Sequence, residues 1–246
     1  MTTKRGLIVI AAGGAVGLLG LGALALAWGF GFLGGGPLLP LYQLVQTASS
    51  HPGYLRTTLT HGNDVYVNDF EEAALRTVDS EPRPAIGRMG IGVDNVRAIP
   101  GQPVTAYIAE DAGSEMPAYE VFRNTRQAPF DWRTATFRAM TFPSPSGARA
   151  SATTTDPALL AEVVRVLRDG TPAGLPAMSL ADSSKLGWIN MVSDSLPGLE
   201  FCPMVYTDAT GTVYLAEGLM IDFKASPPQA NARWIPVSPT LLQWLK

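Results

Sequence analysis

Residues Gly6–Leu33 read GLIVIAAGGAVGLLGLGALALAWGFGFL, and no charged side chain interrupts them. Lys4 and Arg5 stand just before this run, and the next Lys, Arg, Asp or Glu is Arg56. A bilayer core about 30 Å thick takes roughly 20 apolar residues as a helix. Gly6–Leu33 supplies 28. In lipid the backbone must satisfy its own hydrogen bonds, so the run is expected to be a transmembrane helix despite its glycines. The basic residues on its N-terminal side place residues 1–5 in the cytoplasm and everything after Leu33 outside it. A cleaved signal peptide is the alternative, with Ala25-Leu26-Ala27 as the cleavage signal. Both readings export the rest of the chain. Gly13, Gly17 and Gly20 share one face of such a helix and form a candidate helix-packing surface of the G-x-x-x-G kind.

The exported remainder has the length of one domain, or of two small lobes. Net charge is −3 overall, and 16 basic against 21 acidic side chains remain once Lys4 and Arg5 are set aside. A mildly acidic surface argues against nucleic acid as a partner. The single cysteine, Cys202, sits in the apolar run LEFCPMVY, so a buried thiol is expected and disulfides do not hold the fold.

Gly34-Gly-Gly-Pro37 closes the membrane segment. Leu38–Val45 reads as a juxtamembrane helix or an extended stem, with Tyr42 at the bilayer interface. Residues 34–53 together form a linker, and the folded domain is expected over 54–246. Tyr54–Thr60 and Val65–Val67 form a hairpin across the turn residues His61-Gly-Asn-Asp64. Asp69–Val78 is ambiguous. Val96–Ile99, Val104–Ala109, Ala118–Arg123 and Trp132–Met140 read as strands. Gly87-Arg-Met-Gly90-Ile-Gly92 has the wrong spacing for a dinucleotide loop and reads as a glycine-kinked strand.

Pro143–Thr155 is rich in Pro, Ser, Thr and Ala, and is the best internal boundary between lobes. Asp156 and Pro157 then open the clearest helix, with Leu159, Leu160, Val163, Val164 and Leu167 on one face and Gly170 at its end. Strands follow at Leu186–Val192, Leu199–Tyr206, Gly211–Ala216 and Leu219–Phe223, and the loop Ala225–Ala232 leads to Arg233–Val237. Pro203 demotes the second to an edge or a bulge. Ser238 caps a last short helix, Pro239–Leu245. Helices are few and do not alternate with strands, so the expected fold is α+β: a transmembrane helix, then a β-rich, mostly antiparallel domain with two short helices.

The residues supply no catalytic signature. G-x-S-x-G, S-x-x-K and C-x-x-C are absent. His51 and His61 lie ten apart, outside any metal-ligand spacing, and no Asp or Glu can be assigned to them from the sequence. No cofactor or metal is expected and no catalytic residue can be named. Glu71-Glu72 reads as a solvated acidic face, and Glu110-Asp111 as ordinary acids at the end of a strand.

The pieces VYVND, IGRMGIGVDNVRAIPGQPVTAYIAE with AYEVFR, and LLAEVVRVLRDG with LPGLEFCPMVYTDATGTVYLAEG resemble signal-anchored exported bacterial proteins of unestablished function. The resemblance implies an extracytoplasmic location and a non-catalytic role, and brings no functional residues with it. The expected function is a membrane-anchored binding or assembly module of the bacterial envelope, touching a protein partner. The alternatives are an exported hydrolase and an accessory subunit of a membrane complex.

Overall fold

The computed structural model describes residues 39–51, 55–78, 84–89, 95–111, 120–142, 152–174, 178–179, 186–218, 220–222 and 229–245. The stretch 6–33, with Gly13, Gly17 and Gly20, lies outside them, as do Gly90–Gly92 and most of Pro143–Thr155. Among the described residues no helix is long and apolar enough to cross a membrane.

The α+β expectation is corrected: the described chain is mostly β, and its first half is a closed barrel. The first strands are β1 (Leu41–Ala48), β2 (Leu55–His61) and β3 (Asp64–Asn68). A short helix, α1 (Phe70–Ala73), and β4 (Leu75–Thr77) follow. Then come β5 (Ala85–Met89), β6 (Asn95–Ala98), β7 (Tyr107–Asp111) and β8 (Glu120–Asn124). The barrel runs β1-β2-β3-β8-β7-β6-β5 and closes through a parallel β1–β5 pair, Leu41↔Arg88 and Tyr42↔Met89. The other described pairs are antiparallel, as expected. Apart from β1 and β4 these strands are legible one by one, but closure joins residues far apart and leaves no local pattern.

Strand alternation fills this barrel. Tyr42, Leu59, Tyr66, Met89, Val96, Ile108 and Phe122 point inward and form one buried cluster. A barrel this narrow has room for side chains and little else. Tyr42 is therefore an interior residue rather than an interfacial one, and the expected juxtamembrane helix or stem is strand β1. The barrel begins at Leu41, inside the stretch that the sequence presents as linker. Gly87 makes the seam possible: a Cβ there would stand 2.3 Å from the Tyr42 ring.

The hairpin β2–β3 forms as the turn residues predict, with Gly62 at φ 59°. The ambiguous segment after it resolves into α1 and β4. Asp69 caps α1, and Glu72 completes a capping box by accepting the Asp69 N–H at 3.1 Å. Val104–Ala106 is a turn, and only Tyr107 onward is strand.

β4 leaves the barrel to pair with the second half of the chain. That half contains β9 (Phe137–Phe142), β10 (Ala152–Thr154), α2 (Pro157–Asp169), β11 (Met178–Ser179), β12 (Leu186–Trp188), β13 (Asn190–Ser193), β14 (Leu199–Phe201), β15 (Met204–Thr207), β16 (Val213–Ala216), β17 (Met220–Asp222), β18 (Gln229–Asn231), β19 (Ile235–Pro236) and α3 (Pro239–Leu245). They build a five-stranded sheet β10-β9-β13-β14-β4, a four-stranded sheet β12-β15-β16-β19 and a three-stranded sheet β11-β18-β17. β10, at the end of the stretch Pro143–Thr155, pairs directly with β9.

Two segments that read as single strands are broken in the structure. Leu186–Val192 divides at Ile189, and Leu199–Tyr206 divides at Cys202-Pro203. Each half joins a different sheet. The two breaks face each other, with the Ile189 N–H donating to the Pro203 carbonyl at 3.0 Å. Proline has no N–H for a ladder, so this strand turns the corner where one is not needed.

α2 packs against β9, β16, β19 and α3. Its buried residues are Leu160, Val163, Val166 and Leu167, each contributing about 1.5–3 kcal/mol on burial. They share one core with the outer barrel residues Tyr107, Ala109 and Val121, and with Trp132, Phe137 and Phe201. The barrel and the second half are thus packed through the barrel's outer wall.

Candidate functional site

β1 and β3 flank β2 and run the same way, so their ends reach the same end of the barrel. The loop after β1 brings Ser49 and His51 there, and the end of β3 brings Asp69. Ser49 Oγ donates to Asp69 Oδ1 and accepts the His51 N–H at 3.0 Å. The Phe70 N–H donates to the same Asp69 oxygen at 2.8 Å. The Asp69 side chain also accepts the Glu72 N–H, the other half of the capping box. Its Oδ2 has Arg56 Nε at 4.0 Å, beyond hydrogen-bond reach.

The His51 ring stacks on Phe70, with centroids 4.5 Å apart and planes at 25°. Phe70 is backed by Gly218, where a Cβ would meet the ring at 3.0 Å, so the second half of the chain helps fix this stack. Glu71, exposed on α1, completes the group. One ring nitrogen of His51, one Asp69 oxygen and one Glu71 oxygen all lie within 4.8 Å of one another. His51 Nδ1 is shielded from solvent and has no hydrogen-bond partner. A buried polar atom left so costs about 1–3 kcal/mol. Where the sequence left His51 without carboxylate partners, the fold supplies two.

Beneath this cluster, Glu72 faces the opposite way from Glu71. It is 1 % exposed and pairs with Arg123 Nε at 2.5 Å, against the outside of β8. The acidic-face reading of Glu71-Glu72 therefore holds for Glu71 and is corrected for Glu72. Successive residues of α1 are turned by about 100° from each other, and the capping box commits Glu72 inward. The spacing Asp69-x-x-Glu72 was the sequence signal for this cap.

His61 lies at the other end of β2, away from His51. It stacks on Tyr42 at 4.9 Å, and its Nδ1 is 3.3 Å from the Leu41 carbonyl. It is a packing residue of the barrel seam. Cys202 is buried as expected, with Sγ 3.6 Å from Asn190 Oδ1.

A second feature is an open groove of about 540 Å³ between α2 and the segment Ala135–Phe137. Ala135, Phe137, Ala161 and Val164 are among its apolar lining. Its charges satisfy each other. Arg165 grips Glu162 with two bonds of 2.7 Å and holds that carboxyl below the usual carboxylate range. Arg168 grips Asp169 at 2.8 and 2.9 Å.

Comparison with protein-family models, with curated proteins and with solved structures finds no match in any of the three.

Proposed function

We propose that this chain is a membrane-anchored binding or assembly module on the outer side of a bacterial membrane. The observation that carries the reading is the uncharged run Gly6–Leu33, separated by seven residues from Leu41, the first residue of the barrel. So short a connection keeps the barrel close to the membrane. Two features support a role in holding a partner. The barrel interior is filled by its own side chains, so contact with another molecule falls to the outer surface. The groove beside α2 presents apolar side chains between charges that are already paired.

The test combines fractionation with cross-linking. The full chain should sediment with membranes, resist carbonate extraction and be cut by protease added from outside the cytoplasmic membrane. Cross-linking in intact cells should trap a defined envelope protein. Recovery of the chain in the soluble fraction with an N-terminus at Trp28 would overturn the anchor. Turnover of an envelope substrate by the purified chain would overturn the binding role.

A further inference from the structure

We propose that His51, Asp69 and Glu71 hold a divalent transition-metal ion, zinc in the first place, at the end of the barrel. The ligand set is one imidazole nitrogen and two carboxylate oxygens, which suits a borderline cation such as Zn²⁺ and is too nitrogen-poor for copper or nickel. The three ligand atoms already converge to within 4.8 Å. Bonds to zinc of about 2.0–2.2 Å bring such atoms to roughly 3.4 Å of one another, a movement that the exposed Glu71 side chain can supply.

Two further observations point to a ligand here. His51 Nδ1 is shielded from solvent without a partner, and a bound metal either takes that nitrogen or brings a water to it. Asp69 is already oriented: Ser49 and the Phe70 N–H bond to Oδ1, the side chain also accepts the Glu72 N–H, and Oδ2 faces Arg56. Metal-binding carboxylates are commonly held by hydrogen bonds of this kind. Arg56, 44 % exposed and 4.0 Å from Oδ2, can swing into solvent when the cation enters.

Three protein ligands leave a coordination position for water or for a carboxylate of a partner. The ion would also tie the loop after β1 to the start of α1, two segments that reach this end of the barrel separately.

The test uses the full chain in detergent, stripped with chelator, with Zn²⁺ titrated calorimetrically and retained metal counted after dialysis. One equivalent per chain is expected, with a rise in melting temperature. Glu71→Gln, which alters an exposed side chain, and His51→Ala should each weaken binding at least tenfold. His61→Ala should leave it unchanged, and circular dichroism confirms that each variant is folded. Binding at well below one equivalent overturns the proposal, as does equal affinity in Glu71→Gln, His51→Ala and the unaltered chain. Mn²⁺ binding in place of Zn²⁺, lost in the same two variants, supports the site and reassigns its metal. None of these outcomes depends on the location of the chain.

Discussion

Replacing Glu72 by alanine tests how the barrel is joined to the rest of the molecule. The Glu72 carboxylate is 1 % exposed and Arg123 is 12 % exposed, with Nε and Oε1 2.5 Å apart. The same carboxylate accepts the Asp69 N–H at 3.1 Å. Without it, Arg123 keeps the Gln127 carbonyl at 2.6 Å and a long contact of 3.4 Å to the Asn124 carbonyl. Among the described residues its charge then has no carboxylate partner, in a largely buried place. Breaking one side of such a pair costs about 3–5 kcal/mol, and losing half of the capping box adds about 1 kcal/mol. A domain of this kind is stable by about 5–15 kcal/mol, so Glu72→Ala should approach unfolding at ordinary temperature. Glu72→Gln keeps the shape and the hydrogen bond to Asp69 and should lose about half as much. The double variant Glu72→Met/Arg123→Met removes both charges and should be more stable than Glu72→Ala, since apolar replacements of buried pairs are often tolerated. Urea unfolding of the full chain in detergent, followed by tryptophan fluorescence, measures all three. Glu72→Ala within about 1 kcal/mol of the unaltered chain would refute the reasoning, because it would mean that water reaches Arg123.

Gly87→Ala places a methyl group 2.3 Å from the Tyr42 ring and should cost about 1–3 kcal/mol by overpacking. In a Tyr42→Leu background the same change should cost less, and equal costs in both backgrounds would remove the steric argument. Burial pushes the Tyr42, Tyr66 and Tyr107 hydroxyls above the usual tyrosine range. The folded state then keeps those protons longer than the unfolded chain, so their contribution to stability is full below about pH 10 and lost as the pH rises further. Absorbance titration should show these tyrosines ionising late, together with loss of the near-ultraviolet dichroism; ionisation of every tyrosine near pH 10 in a still-folded chain would contradict this. Asp156 Oδ1 accepts the Ala158 N–H at 2.9 Å, and Asp156→Ala should cost about 1 kcal/mol and lower the melting temperature by about 2–4 °C. An unchanged melting temperature would show that Pro157 and the core face suffice to start α2.

Elements whose causes are local can be read directly from the chain. The β2–β3 hairpin follows from four turn residues, and α2 from a cap, a proline and an apolar stripe within fifteen positions. The burial of Cys202 follows from the apolar run around it. Tertiary structure decided what depends on residues far apart in the chain. Barrel closure needed Tyr42 to meet Gly87, which turned an apparent linker into a barrel strand with Tyr42 inside. The breaks at Ile189 and Pro203 came from two sheets sharing one pair of strands. Glu71 and Glu72, adjacent and chemically alike, were separated by α1 into a surface acid and a buried ion pair. His51 gained Asp69 and Glu71 only because β1 and β3, on either side of β2, end at the same end of the barrel. Turn and helix preferences act over a few residues and are written in the order of the chain, whereas the meeting of distant strand ends depends on which whole arrangement buries the most side chains.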